Sequence, residues 1–349
     1  MSVTSTAVTI RVTEPGGPLV PQRVAISTPG RGWVRVAIAA SGVCNADIGT
    51  AQAGGGAHFP VTPGHEIAGV VAELGEGVQG WSAGDRVAVG WFGGSCGHCD
   101  FCRRGDVVHC AERKVPGLSY PGGWAESVTV PADALARIPD GMDLFDAAPM
   151  GCAGVTTFNA VRHANVPAGG RVAVFGLGGL GHLAVQFAAA MGYDVVALAR
   201  GPERENLARK LGSHHYIDST ATLPGAALRE IGGADLIIST VPTTAPVAEL
   251  ITGLRIHGRL TLIGVDGGSI DVPAAKLVIN SQILTGHLTG SALDIEETMR
   301  FALLHGIRPM IERMPLEEAG DAVERLKAGK PRFRLILDTR SPISRPSPR

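Results

Sequence analysis

The sequence predicts an α/β chain of two domains, β-rich up to about residue 150 and a doubly wound parallel sheet from about residue 171. Length is one reason, since 349 residues exceed what a single hydrophobic core usually organises. Texture is another: apolar runs set in Gly/Pro-rich loops give way to runs that alternate with helical patterns. The 48 glycines imply many tight turns.

In the first part, "WVRVAIA" (33–39), "EIAGVVAEL" (66–74), "DRVAVG" (85–90) and "AESVTV" (125–130) read as strands. The second part opens with the strand "RVAVFG" (171–176) and a helix running to Met191. Strand "DVVALA" (194–199), a helix through "ENLARKLG" (205–212) and strand "HHYID" (214–218) come next. "ADLIIST" (234–240), a helix over 246–254, "RLTLIGV" (259–265) and "QILTGHL" (282–288) continue the alternation. Two helices (292–306 and 316–329) and a last strand, "RFRLILD" (332–338), follow. The Pro/Ser/Arg-rich tail 339–349 is expected to be disordered.

Composition narrows the function. A net charge of −1 without a basic block removes the electrostatic case for nucleic acid. The N-terminal segment alternates polar and apolar residues, so no secretory signal and a cytoplasmic location are expected. Residues 172–193 lack Asp, Glu, Lys and Arg and are long enough for a membrane helix. Glycines crowd their first half, however, so strand, tight turn and helix are the better reading. Six cysteines in such a chain point to metal or catalysis rather than to a disulfide framework.

Cys96, Cys99, Cys102 and Cys110 stand at C-x2-C-x2-C-x7-C. Four thiolates so spaced can close around one Zn²⁺, a structural site with no position left for substrate. Two disulfides, or four unrelated thiols, are the alternatives. "VFGLGGLGHLAVQFA" carries Gly176, Gly178 and Gly181, a G-x-G-x-x-G between strand and helix, with Gly179 and Leu180 inside it. Such a turn lets backbone approach a pyrophosphate at a helix N-terminus. The end of the next strand bears on the cofactor. An NAD site usually has Asp or Glu there for the ribose hydroxyls. This chain has Ala199, then Arg200, with Arg204 beyond. A missing carboxylate and a guanidinium suited to phosphate favour NADP(H) over NAD(H), although Arg200 could be a solvated loop charge. Finally, Cys44, His65 and Cys152 are the residue types of an open catalytic zinc with three protein ligands. Taken singly, each is as well explained by a loop histidine or a small buried thiol.

Cys44 in G-V-C-x-x-D, the Gly64–His65–Glu66 triplet, the four-cysteine lobe, Cys152 and the glycine fingerprint together resemble the zinc-dependent medium-chain alcohol dehydrogenase family. The likeness covers about residues 7–338 and is closest to bacterial alcohol dehydrogenases and cinnamyl-alcohol-dehydrogenase-like NADPH reductases. It implies a GroES-like β-barrel catalytic domain (1–151 and 291–338, zinc lobe about 93–112) around a Rossmann domain (152–290). It also implies two zinc ions per chain, one of them catalytic on Cys44, His65 and Cys152, with Asp47 and Glu66 close to it. The activity implied is hydride transfer between NADP(H) and an aldehyde or alcohol, the metal acting as Lewis acid. A homo-oligomer, dimer or tetramer, is implied as well.

By the same resemblance Thr156 stands near the nicotinamide, and Val241, Val265 and Leu288 line the cofactor. Trp91 and Phe92 match pocket-lining aromatics; Leu118, Trp124 and Leu288 are weaker pocket candidates for which core packing competes. Two departures stand out. Family members that oxidise alcohols usually carry Ser or Thr two residues after the first ligand cysteine, and often His three further on. Here those positions are Ala46 and Gly49, neither of which can pass a proton. Water or another group then has to carry it, or the substrate is an iminium or conjugated C=C whose reduction does not need that relay. The family also often has an arginine after Gly-Ser near the end of the cofactor domain, where this chain has Ser291-Ala292, which removes one phosphate contact.

Overall fold

In the computed structural model, which describes residues 5–53, 58–264 and 267–340, the longest strand, Trp33–Val43, organises the first unit. That unit comprises Met1–Cys152, Thr289–Leu303 and Pro309–Arg349. Alternate residues of the strand are buried at its start and all of them after Ile38, as expected where a sheet passes from half-exposed to enclosed. One edge pairs antiparallel with Ile67–Leu74. The other edge is shared: Ser127–Pro131 pairs with its first half and Arg334–Asp338 with its second. Arg86–Val89, Ala136–Arg137 and Ile311–Pro315 complete seven strands. Val34, Val36, Ile67, Val71, Val87 and Val89 form the core.

The second unit, Ala153–Leu288 with Leu304–Arg308, holds a six-stranded sheet in which every pairing is parallel. Its spatial order is His215–Asp218, Asp194–Ala199, Arg171–Phe175, Ala234–Ser239, Leu254–Leu262, Ile283–Gly286. Numbered along the chain this is 3-2-1-4-5-6, the doubly wound dinucleotide-binding order. Crossover helices cover both faces, so strands such as Asp194–Ala199 are buried almost throughout.

Several boundaries differ from the sequence expectations. The helix expected over 246–254 is only Val247–Leu250 with a 3-10 turn, because Leu254 already pairs with Ala234. Thr339, assigned to the disordered tail, is buried and donates to Ile38 O at 2.5 Å; residues 341–349 lie outside the described residues. Cys152 groups with the first unit, and Leu304–Arg308 with the second. The apolar stretch 172–193 resolves into Arg171–Phe175 and the ten-residue helix Gly181–Ala190. Among the described residues no helix is long and apolar enough to cross a membrane.

Candidate functional site

Cys44 ends the strand Trp33–Val43, just before the helix Asn45–Ala53. His65 and Glu66 immediately precede the neighbouring strand Ile67–Leu74, and the ladder holds the two segments together: Gly42 N–H donates to Glu66 O at 2.8 Å. Cys152 follows the buried turn Ala148–Gly151. The ligand-capable atoms of Cys44, His65, Glu66 and Cys152 all lie within 4.8 Å of one another.

The histidine is oriented by Asp47. His65 Nδ1 sits 2.7 Å from Asp47 Oδ1, and the same carboxylate accepts from Gly64 N–H (3.1 Å) and Cys44 N–H (3.0 Å). A carboxylate so engaged accepts a hydrogen bond from Nδ1–H and thereby favours the tautomer whose Nε2 lone pair faces the thiols, the usual arrangement of a metal-ligating histidine. Nε2 lies 3.3 Å from Cys152 Sγ. A tetrahedral ion with Zn–N and Zn–S bonds of about 2.0 and 2.3 Å would set them about 3.5 Å apart. The set fits zinc.

Crowding and burial set the titration of these groups. A hydrogen bond from Cys152 holds the Cys44 thiol well below its ordinary value despite burial, whereas the same contact and burial push Cys152 up. Burial works against the His65 imidazolium, but Asp47 outweighs it and raises the group. Burial holds Glu66 up at about 7 although Arg334 opposes it. Glu66 Oε1 accepts from Arg334 Nη2, while Oε2 is buried with no partner among the described residues. A Cβ at Gly42 would come within 2.1 Å of that Oε2, so only glycine leaves the carboxylate room. An orphan carboxylate oxygen beside two thiols and an imidazole is a cation environment. The sequence reading does not include Arg334. Its signal was a charged residue flanked by Phe333 and Leu335 at the head of the apolar run 335–337.

In the lobe, the sulfurs of Cys96, Cys99, Cys102 and Cys110 also lie within 4.8 Å of one another, and all six cysteines are free. The Cys99–Cys102 and Cys96–Cys102 sulfur separations are 3.6 and 4.0 Å. A disulfide needs about 2.05 Å, whereas the edge of a ZnS₄ tetrahedron is about 3.8 Å. Backbone N–H groups of Cys96 and Glu112 donate to Cys110 Sγ, each at 3.3 Å. Those of Cys102 and Ala111 hold Cys99 down at about 6. Burial and the hydrogen bonds of its neighbours Cys110 and Cys99 instead push Cys102 up to about 11, so the backbone donors favour thiolates at Cys99 and Cys110 while Cys102 keeps its proton until a cation replaces it.

The fingerprint glycines divide their work. Gly176 has φ +96°, and a Cβ on Gly181 would lie 1.8 Å from Gly176 O, so helix and turn pack too closely for any side chain. A Cβ on Gly178 would meet nothing within 4 Å. That open face is where a pyrophosphate would approach the N-terminus of Gly181–Ala190. Gly181→Ala is therefore expected to cost about 1–3 kcal/mol, read as a lowered Tm. Gly178→Val should leave Tm unchanged and raise the Kd for dinucleotide; equal loss of Tm in both would show that packing alone selects these glycines.

Comparison with known proteins follows the same division. Residues 30–140 match the model of the alcohol dehydrogenase GroES-like domain, and residues 179–303 that of the zinc-binding dehydrogenases. The alcohol dehydrogenase patD of Penicillium expansum is 43% identical, over 93% of this chain and 95% of its own length. The chain belongs to the zinc-dependent medium-chain alcohol dehydrogenase family. The NADP-dependent alcohol dehydrogenase C of Mycobacterium tuberculosis is 36% identical over 92% of this chain and 95% of that protein. Among solved structures, the CAD from Helicobacter pylori complexed with NADP(H) superposes with TM-score 0.85 at 27% identity, covering 96% and 99% of the two chains. The first unit is thus GroES-like and the second Rossmann-type, and the protein is an alcohol dehydrogenase-type oxidoreductase.

The remaining candidates of this family member are placed as follows. Arg204 Nη1 donates to Leu177 O at 2.8 Å, which ties it to the glycine turn, and Arg200 is exposed directly after buried Ala199. Thr156 Oγ1 lies 3.5 Å from Leu288 O, with Leu288 itself exposed. Val241 is half-buried at the end of the central strands, packed against their core; Gly179 and Leu180 are half-buried in the turn; Val265 lies outside the described residues. Trp91 is half-buried with the Arg113 guanidinium 5.4 Å from its ring centroid. Leu118 is half-buried and Ala46 exposed. Phe92 and Trp124 are fully buried core side chains, and Trp124 Nε1 donates to Gly42 O at 3.1 Å, bracing the backbone beside Glu66. Ser291 caps the helix Ala292–Leu304 through Asp294 at 2.7 Å.

Proposed function

We propose that this chain is an NADP(H)-dependent, two-zinc oxidoreductase that interconverts apolar or aromatic aldehydes and alcohols. The convergence of Cys44, His65 and Cys152 next to the unpaired Oε2 of Glu66 carries this reading. Zinc held there would polarise a carbonyl or alcohol oxygen while hydride passes to or from the nicotinamide. The chain's part is orientation: Asp47 fixes the His65 tautomer, and Arg334 holds Glu66 in place. Cys96, Cys99, Cys102 and Cys110 would hold the second, structural zinc.

Ala199, Arg200 and Arg204 favour a 2′-phosphate over free ribose hydroxyls, and a relative is named NADP-dependent. A charge-assisted hydrogen bond is worth about 1.5–3 kcal/mol. Arg200→Ala is accordingly expected to cut kcat/KM with NADPH by about 10–100-fold and leave NADH turnover unchanged. Equal loss with both cofactors would assign Arg200 another role.

The direct test is an NADPH and NADH oxidation screen over aldehydes, ketones, enals and cyclic imines, with zinc measured on the same sample. Aldehyde reduction with two zinc ions per chain is the expected result. Turnover confined to cyclic imines or enals would favour the second reading, reduction of C=N or conjugated C=C, which Ala46 supports. A second copy is the expected partner. Among the described residues the edge strand Ile283–Gly286 pairs on one side only, and the adjacent helix Ala274–Asn280 buries no residue while exposing Val278 and Ile279. Light scattering should give at least a dimer, and Ile279→Lys a monomer; an unchanged oligomer would place the contact elsewhere.

A further inference from the structure

The lobe carries a group that the four-thiolate reading does not use. His98 and Glu112 are exposed, and their ligand atoms lie within 4.8 Å of each other and of Cys96 Sγ. Gly97, at φ +75°, folds the chain so that His98 Nδ1 faces Cys96 O at 2.9 Å. A carbonyl only accepts, so Nδ1 donates to it, and in the neutral ring Nε2 is then the nitrogen left to bind a cation. This is the support that metal-ligating histidines characteristically have. Nε2 stands 3.6 Å from Glu112 Oε1. That is longer than an N–H···O hydrogen bond, about 2.7–3.2 Å, so the two groups do not hydrogen-bond to each other. The separation suits two ligands of one ion with bonds of about 2.0–2.2 Å.

We infer that His98, Glu112 and Cys96 form an exposed capture site for divalent transition-metal ions, zinc above all, through which metal enters and leaves the four-thiolate lobe. Cys110 is fully buried, so a hydrated ion cannot meet all four sulfurs at once. At the capture site the ion would gain imidazole and carboxylate, keep its remaining waters, and share the Cys96 sulfur. Passing inward, it would exchange imidazole, carboxylate and water for the other three thiolates while holding that shared sulfur. No redox change is involved; any thiol protons leave to solvent as the thiolates bind.

The inference rests on the lobe holding zinc, and the experiment separates the two. Purified holoprotein is mixed with excess cadmium, and replacement of lobe zinc is followed by cadmium NMR and by released zinc. The expected rate rises with free cadmium. His98→Ala and Glu112→Gln should each slow it about tenfold or more, in line with the loss expected for a metal-site partner, with zinc content, Tm and dehydrogenase activity unchanged. Glu112→Asp should restore much of the rate. Wild-type rates in both variants, or a rate independent of cadmium, would overturn the capture site alone. Protein purified with no zinc in the lobe would overturn the four-thiolate reading and the capture site with it.

Discussion

For the two-zinc aldehyde reductase proposed above, Cys44→Ser is expected to lower the zinc content from two ions per chain to one and to cut aldehyde reduction by about 10³-fold or more. The expectation follows from the donor set. Serine replaces a soft thiolate, whose pKa Cys152 already depresses, with a hydroxyl that stays protonated. Lewis-acid polarisation lowers the barrier by several kcal/mol, and each 1.36 kcal/mol is tenfold in rate. The remaining zinc should stay in the lobe, because Cys96, Cys99, Cys102 and Cys110 share no ligand with the Cys44 site. Metal analysis on the assayed sample separates loss of the ion from loss of fold. Cys110→Ser gives the opposite pattern: it removes the lobe zinc and lowers Tm. Two zinc ions and near-wild-type turnover in Cys44→Ser would exclude Cys44 as a ligand.

How much of this was legible in advance depends on how each element is stabilised. The Rossmann strands are buried on both faces, so Arg171–Phe175 and Asp194–Ala199 stand out as continuous apolar runs. Asn45–Ala53 does not stand out, with Ile48 its one large apolar residue, and Ala274–Asn280, which buries nothing, shows no periodicity either. The hairpin Thr6–Arg11 and Val20–Ala25 is not legible in the sequence, because its second strand is largely exposed and contains Pro21. Site residues were more legible than elements, since cysteine and histidine at ligand spacing are rare by chance. Glu66 and Arg334 show the limit. They are 268 residues apart, and only the antiparallel pairing of Trp33–Val43 with both of their strands brings them together. The same holds for aromatic candidates: Phe92 and Trp124 are fully buried and Trp91 half-buried, a difference that depends on contacts distant in sequence rather than on residue type.

Ala46→Thr is expected to raise turnover on simple aldehydes by about 10²-fold. Ala46 lies in the first turn of Asn45–Ala53, two residues after Cys44, and is exposed. Neither Ala46 nor Gly49 carries a hydroxyl, and the Thr50 side chain, one turn on, donates its proton to Ala46 O at 3.1 Å. A carbonyl reduced by hydride needs a proton on oxygen, and a positioned donor is worth about 10²–10⁴-fold. A threonine at 46 supplies both a donor and an acceptor, so it can receive a proton from solvent as it gives one up. The gain should appear in kcat and flatten the pH dependence on the alkaline side, where the wild type runs short of proton donors. Reduction of a conjugated C=C or of an iminium, in contrast, should not speed up, because its barrier does not wait on that proton. Aldehyde turnover and pH profile both unchanged in Ala46→Thr would mean that another route already delivers the proton, and the absent hydroxyl would then say nothing about substrate class.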